Sequence, residues 1–305
     1  IGLKELWEID PAKHQEGMVL HGSGWPLSET HSNGGWWLYF DENNQVSFGM
    51  VIDLSYHNPY LSPFDELQRL KIHPLIRNIL EGGKRLSYGA RALTKGGLNS
   101  LPKLYFAGGV LVGDDAGFLN PAKIKGTHTA IKSGMLAAEA VYEAIAAGRQ
   151  HDEVPTYEQK FKASWLYNDM YQARNFANAM HRMGIWMGGA FNFLEQNIFK
   201  GKMPLTIRDR MPDYDVLERA DHAYIPEYPK PDGKLTFDKL SSVFISNTNH
   251  AEDQPCHLKL TDPEVPIKRN LKIFAEPAQR YCPAGVYEVV QSDSLSLIHI
   301  SEPTR

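Results

Sequence analysis

VLVGDDAGFLNPAKIKGTHTAIKSG, residues Val110–Gly134, decides the reading of this chain. It begins inside an apolar run, KLYFAGGVLVGDDAG, which passes through a glycine-rich turn into GTHTAIKSGMLAAEAVYEAIAAG. The first part predicts a buried strand and the second a long helix ended by Gly148. Strand, glycine turn and helix in that order is how α/β proteins hold nucleotide cofactors. Gly113 and Asp114 end the predicted strand, and Gly126 and Thr127 begin the helix. An acidic side chain there can bond the polyol chain of a flavin nucleotide. The helix N-terminus offers free N–H groups and a partial positive charge to a reduced, anionic ring. Asp114 alone would serve equally well as a turn residue or cap. The full Gly-Asp, Pro, Gly-Thr, Ala, Gly, Ala-Ala spacing is far more specific.

Upstream, Gly17–His21 is extended, and SNGGWWLYFDENNQVSFGMVIDL reads as a hairpin with DENN as its turn. In its second strand Val46, Phe48, Met50, Ile52 and Leu54 share one face. Ser62, Pro63 and Asp65 form a concordant helix start, followed by a helix to about Ile72 with Phe64, Leu67 and Leu70 inward. A second short helix runs from Pro74 to Leu80 and stops at Gly82-Gly83.

Downstream, TYEQKFKASWLYNDMYQARNFANAM predicts a polar helix, and GIWMGGAFNFLEQNIF follows it. The second stretch is interrupted by Glu195 and Asn197 and is too short to span a bilayer, which takes about 20 apolar residues. It fits either a buried or interface helix or one lying on a membrane surface. From EYPKPDGKL onward helical periodicity disappears. A boundary near Tyr228–Gly233 is therefore expected, followed by a small loop-rich module with short strands.

The 305 residues, 42% of them hydrophobic, suffice for a large core. A formal charge of −4 with both signs interspersed excludes the basic footprint of a nucleic-acid binder. Cys256 and Cys282 are too few for a disulfide framework, which favours a reducing compartment or a metal role. The twelve histidines, His21 and His128 among them, lack metal-ligand spacing. The opening at Ile1 predicts a fragment cut at its front. The final LSLIHISEPTR, Leu295–Arg305, matches what one frame of a common transposase sequencing adapter encodes, and it is set aside from the fold.

GFLNPAKIKGTHTAIKSGMLAAEA resembles the flavin-contacting segment of the electron transfer flavoprotein–ubiquinone oxidoreductase family. GWPL, NPYLSPFDELQRLKIHP, LEGGKRLSYGARAL, EYPKPDGKLTFDKLSSV, TNHAEDQP and QRYCPAGVYE resemble the same family, in order, from Gly2 to about Val290. The family's Gly-x-Gly-x-x-Gly fingerprint is not in this sequence. The resemblance implies an oxidoreductase at a membrane surface, monotopic, on the bacterial cytoplasmic membrane or the matrix side of the mitochondrial inner membrane. It implies FAD, a [4Fe–4S] cluster, electron transfer flavoprotein as donor and ubiquinone as acceptor. Such electron transfer needs neither nucleophile nor general base. The fold implied is an α+β or α/β flavoprotein fragment: a mixed-sheet quinone-binding domain over 1–90, an FAD-domain remnant with helices over 91–230, and a small ferredoxin-like module over 231–294.

On that template Gly113, Asp114, Asn120, Gly126, Thr127 and Thr129 match the FAD segment. Asp114 falls at the ribityl or phosphate end and Gly126–Thr127 at the ring. Asn120 either donates to the ring edge or caps its own turn. Gly34 and Gly35 match the pair whose backbone meets the quinone head group, beside Trp36 and Trp37. Cys282 matches the first of four cluster ligands, and a cluster of this type needs four thiolates. Tyr287 is placed to bond a cluster sulfur, and Cys256 is read as a small buried hydrophobe. Two alternatives remain open: a flavin reductase of the geranylgeranyl-reductase-like kind or one whose ferredoxin module is a separate chain, and a fragment that is itself inactive.

Overall fold

The computed structural model describes residues 1–209, 211–249, 251, 253–255 and 259–290, with the backbone of 291 and 296–300; Cys256 lies outside the described residues. The chain divides into two units, one made of 1–92 with 211–305 and the other of 93–210.

The first unit is built on β1 (Gly2–Glu8), β2 (Val19–Gly22), β3 (Gly34–Phe40), β4 (Gln45–Ile52) and β5 (Lys84–Arg91), in the spatial order β2-β3-β4-β1-β5. Every pairing is antiparallel, which corrects the expectation of a mixed sheet. A parallel neighbour needs a long crossover. Here β3 and β4 share a tight turn, in which Asn43 and Asn44 take the left-handed conformation that asparagine tolerates. Between β4 and β5 the chain makes a helical excursion, α1 (Pro63–Lys71) and α2 (Pro74–Leu80), and returns beside β1 in the opposite sense.

Alternation along the strands puts Leu3, Trp7, Leu38, Phe40, Val46, Phe48, Met50 and Ile52 into one core with Phe64, Leu67, Leu70, Ile76 and Leu80 of the two helices. Ser62 caps α1 by accepting from the Asp65 N–H at 3.4 Å, and Pro63 sets the first turn. Gly82 stops the chain after α2 with φ of +85°. Leu54, beyond the end of β4, escapes the core and is 40% exposed.

The second unit departs from the predicted strand. Gly108, at φ +78°, turns the apolar run back on itself, so β6 (Tyr105–Phe106) pairs antiparallel with β7 (Gly109–Val110). Gly113 and Asp114 do not end a strand. They open α3 (Gly113–Ala116), a helical turn entered through Gly113 at φ +61° and closed by Gly117 at +89°. The long helix is present as α4 (Thr127–Ala146), terminated by Gly148 at φ +73°. The single polar helix expected next is three: α5 (Pro155–Ala163), α6 (Trp165–Gln172) and α7 (Phe176–Phe193). Ser164 breaks the first junction with extended backbone at φ −90°, ψ 163°. At the second, buried Arg174 turns away to bind the carbonyls of Tyr171, Gly201, Met203 and Leu205. These bonds fold residues 201–206 back onto the helix corner.

The remaining segment packs on the first unit. The Glu218 N–H donates to His57 O at 2.8 Å, Asn58 Nδ2 donates to Tyr224 O at 2.6 Å, and the Tyr228 hydroxyl donates to Glu66 Oε1 at 2.9 Å. Then come α8 (Lys239–Phe244), α9 (Lys272–Phe274), α10 (Ala278–Tyr281) and β8 (Tyr287–Gln291), paired with β9 (Ser296–Ile300). This module is more helical than expected, because prolines such as Pro266 and Pro277 sit at or just before helix starts.

Candidate functional site

In the second unit the loop 117–126 is tied to the start of α4 from within. The Gly113 N–H donates to Ser133 Oγ at 2.9 Å, and the buried Thr129 hydroxyl reaches the carbonyls of Phe118 and Gly126. Asn120 is buried, and its side chain is occupied on both sides. Oδ1 accepts from the N–H groups of Ala122 and Lys123, at 3.0 and 3.1 Å, while Nδ2 donates to Asp169 Oδ2 at 2.8 Å. Of the two roles open to Asn120 in the sequence, this structure displays the turn cap. Asp169 also binds Lys123 and, at 3.2 Å, His128. Burial works against its charge, yet the bonds from Lys123, Asn120 and His128 hold its pKa below the ordinary carboxylate value. His128 stacks on Trp165 with ring centroids 6.2 Å apart. Nothing in the sequence pattern pointed to Asp169, which lies on α6, two helices beyond α4.

Two groups of this segment face away from internal partners. Asp114 is partly exposed, and no described residue bonds its carboxylate. Gly126 caps α4 without a side-chain bond, and a Cβ there would meet protein atoms only at 3.7 Å or beyond. Packing within the chain therefore does not demand this glycine. An open helix N-terminus and a free carboxylate, separated by a loop locked through Thr129 and Asn120, fit the pyrophosphate-and-ring demands of a flavin nucleotide.

In the first unit Gly34 and Gly35 open β3 opposite Ile52 and Val51 of β4. A Cβ at Gly34 would lie 2.3 Å from Val51 O, and one at Gly35 would lie 2.8 Å from Gly22 O. The sheet itself thus requires both glycines, independently of any ligand. Trp36 lies across Gly22 and Trp37 across Gly49, each within 2.3 Å of the position a Cβ would take, so both indoles are half-buried on the sheet.

Cys282 follows α10 and is 7% exposed. Its Sγ accepts from the Val286 N–H at 3.4 Å, across a loop turned by Gly285 at φ +67°. The Tyr88 hydroxyl donates to Pro283 O at 3.2 Å, and burial, with Glu5 and Cys282 nearby, pushes that phenol up. The Lys239 stem packs on the same loop, 3.4 Å from where a Gly285 Cβ would be, and its Nζ reaches Gln279 O at 3.4 Å. Burial holds the Lys239 pKa below its usual value, with Asp65 and Cys282 acting in the opposite direction. Among the described residues no group of three or more His, Cys, Asp or Glu could hold a metal ion. A buried thiol that accepts a backbone N–H suits one ligand of a thiolate-held cluster. Tyr287 begins β8 and lines a small cavity with Tyr281, Glu276 and Gln279.

No helix among the described residues is long and apolar enough to cross a membrane. Beyond a kink at Gly184 (φ 68°), however, α7 and the π-helical turn Leu194–Ile198 expose Ile185, Met187, Phe193, Leu194, Ile198 and Phe199, with Trp186 88% exposed. Burial within this unit therefore does not hold for this face, and an interface helix or one lying on a membrane surface both fit it.

Two family descriptions match the chain: "ETF-QO, ubiquinone-binding" over residues 1–93, and "Electron transfer flavoprotein-ubiquinone oxidoreductase, 4Fe-4S" over residues 233–301. A probable electron transfer flavoprotein-ubiquinone oxidoreductase of Acinetobacter baylyi is 63% identical, covering 95% of this chain and 54% of its own length. The Pseudomonas aeruginosa electron transfer flavoprotein-ubiquinone oxidoreductase is 62% identical over 96% of the chain and 53% of its own length. The mitochondrial protein of that name from Bos taurus is 48% identical over 95% and 48%. The chain thus spans about half the length of these curated relatives. Among solved structures, a geranylgeranyl bacteriochlorophyll reductase-like protein of Thermoplasma acidophilum is similar at 19% identity over 70% of this chain and 51% of its own, with a TM-score of 0.42, too low to bear on the fold.

Proposed function

Because this chain belongs to the electron transfer flavoprotein–ubiquinone oxidoreductase family, we propose that the whole protein carries electrons from reduced electron transfer flavoprotein to ubiquinone. The observation that carries this reading is the presence of ubiquinone-binding and 4Fe-4S family segments at the two ends of one chain, at 1–93 and 233–301. The division into 1–90, 91–230 and 231–294 as quinone, FAD and cluster parts belongs to the same proposal.

FAD and the [4Fe–4S] cluster supply the electron-carrying chemistry when bound. The residues here bind and orient. Asp114 holds the ribityl or phosphate end, Gly126 and Thr127 present the helix N-terminus to the ring, and Gly113, Asn120 and Thr129 keep the loop in shape. Gly34 and Gly35 bring backbone groups to the quinone head. Cys282 is one cluster ligand, and Tyr287 supports it. The apolar face from Ile185 to Phe199 rests on the quinone-containing membrane, with its aromatic and aliphatic side chains in the interfacial layer. That membrane is the bacterial cytoplasmic membrane or, in mitochondria, the inner membrane on its matrix side.

Cofactor content tests the reading. The purified whole protein is expected to hold about one FAD and about four iron atoms per chain. The 305-residue chain alone, with two cysteines, should hold little of either. A whole protein free of iron would sink the proposal.

A further inference from the structure

The C-terminal module holds a buried carboxylate oxygen that none of its described groups satisfies. After α9 the chain turns through Ala275 and Glu276, both left-handed at φ +53° and +44°, a conformation that residues other than glycine rarely take. Consecutive residues of that kind persist where their surroundings dictate them, and ligand clamps are a common setting. The turn buries Glu276, which is 4% exposed. Its Oε1 accepts from the Ala278 N–H at 3.2 Å, but no described donor bonds the buried Oε2. Burial pushes the carboxyl's pKa up, against the pull of the Ala278 N–H, Asn270 and Arg280. Arg280 does not close the gap: its Nη1 donates to Ala275 O at 2.9 Å, and its guanidinium lies over the Tyr60 ring, 4.9 Å from the centroid.

Glu276 lines a cavity of about 130 Å³ between this turn, α10 and β8. Gln279 Oε1 accepts from the Val289 N–H at 3.1 Å, which fixes β8 against α10. Leu260 and Val289 give the cavity aliphatic walls, Tyr281 and Tyr287 give it aromatic ones, and the charged groups of its described lining, Glu276 and Glu288, are both acids. A metal ion is poorly served, since no group of three or more possible ligands exists among the described residues. An alkylammonium is well served: its charge meets carboxylate and aromatic rings, and its stem meets the aliphatic walls. At about 30 Å³ per water in the liquid, the volume equals roughly four such molecules, room for an ammonium on a short stem. We propose that this cavity binds a primary alkylammonium group, of a lysine side chain or of a free amine, with Glu276 Oε2 as its ion-pair partner. Pairing of that kind offsets the cost of burying the carboxylate. Binding there calls on no cofactor and is separate from the proposed electron transfer.

The test is isothermal titration calorimetry of the whole protein, at fixed ionic strength, with n-butylammonium, with n-butanol as its uncharged counterpart, and with lysine capped at both backbone ends. n-Butylammonium should bind about tenfold more tightly than n-butanol. Glu276→Gln keeps an acceptor for the Ala278 N–H and should abolish that difference. Tyr281 is 40% exposed, so Tyr281→Leu should fold as wild type and weaken n-butylammonium about two- to fivefold. Capped lysine binding at least as tightly as n-butylammonium assigns the site to a protein side chain, and n-butylammonium binding alone assigns it to a free amine; either supports the inference. Equal affinity for n-butylammonium and n-butanol, binding of neither amine, or unchanged n-butylammonium affinity in folded Glu276→Gln overturns it. Should Glu276→Gln fail to fold, Tyr281→Leu decides: weaker n-butylammonium binding supports the site, and unchanged binding overturns it.

Discussion

Lys71 Nζ lies 3.1 and 3.0 Å from the two carboxylate oxygens of Glu5, with both side chains fully buried. Trp7 Nε1, Arg85 Nη1 and Gln68 Nε2 also donate to this carboxylate, at 2.8, 3.2 and 3.4 Å. Since Arg85 also holds Ser242, this one carboxylate joins the sheet, α1 and the module that bears Cys282. Breaking a buried pair by removing one partner typically costs about 3–5 kcal/mol. Lys71→Met and Glu5→Gln should each lower the urea midpoint accordingly, and wild-type midpoints would refute the arrangement. Burial pulls the Lys71 pKa down to about 8 against the opposing pull of Glu5. Between that value and the ordinary lysine range the unfolded chain binds the extra proton, so this group's contribution makes stability rise with pH there. Lys71→Met should remove that component.

Asp232 opens the C-terminal module, where its Oδ1 accepts from the N–H groups of Lys234, Leu235 and Thr236, each at 2.9 Å. Partial burial works the other way, yet the bonds from Thr236, Lys234 and Leu235 bring its pKa down to about 2. A carboxylate depressed on folding stabilises above its unfolded pKa and loses that contribution as pH falls toward the folded one. Acid unfolding of wild type should therefore steepen between about pH 4 and pH 2, the interval set by these two values. Asp232→Asn should flatten that interval, and an identical acid limb would count against the turn.

Gly34 has no room for a side chain. With Val51 O 2.3 Å and Leu27 Cδ1 2.5 Å from the Cβ position, Gly34→Ala must displace β4 backbone, and overpacking of this kind costs about 1–3 kcal/mol. Thermal unfolding should show that loss with no quinone present. A variant as stable as wild type would return Gly34 to a purely ligand-facing role.

Trp186 is 88% exposed, so Trp186→Glu should leave stability almost untouched. Co-sedimentation of the whole protein with phospholipid vesicles should nevertheless fall, because a charge enters the apolar face beyond Gly184. Equal vesicle binding by both proteins would remove this face from membrane contact.

Local chemistry made much of this legible. Ser62-Pro63 and Gly82 bounded the helices of the first unit, DENN supplied two residues that tolerate the left-handed turn, and Gly148 ended α4. The run from Lys103 to Val112 misled, since apolar content cannot show that Gly108 folds it into a hairpin. Ser164, whose extended backbone follows a helix end bonded to Phe161 O, and Arg174, whose guanidinium reaches the distant carbonyls of Met203 and Leu205, broke a pattern that looked like one helix. Period-two alternation puts Glu5 on the inward face with Leu3 and Trp7, but gives no warning that Lys71 and Arg85 arrive there from 66 and 80 residues away to bind it. Asn120 was singled out by motif, but its partner Asp169, 49 residues on, carried no signal.

Rapid mixing of the whole protein with reduced electron transfer flavoprotein and a water-soluble ubiquinone analogue tests the central claim most directly. The account predicts that the flavoprotein is reoxidised only when both the protein and the quinone are present, with quinol formed in matching amount. A whole protein replete in flavin and iron that leaves the reduced flavoprotein unchanged would contradict it.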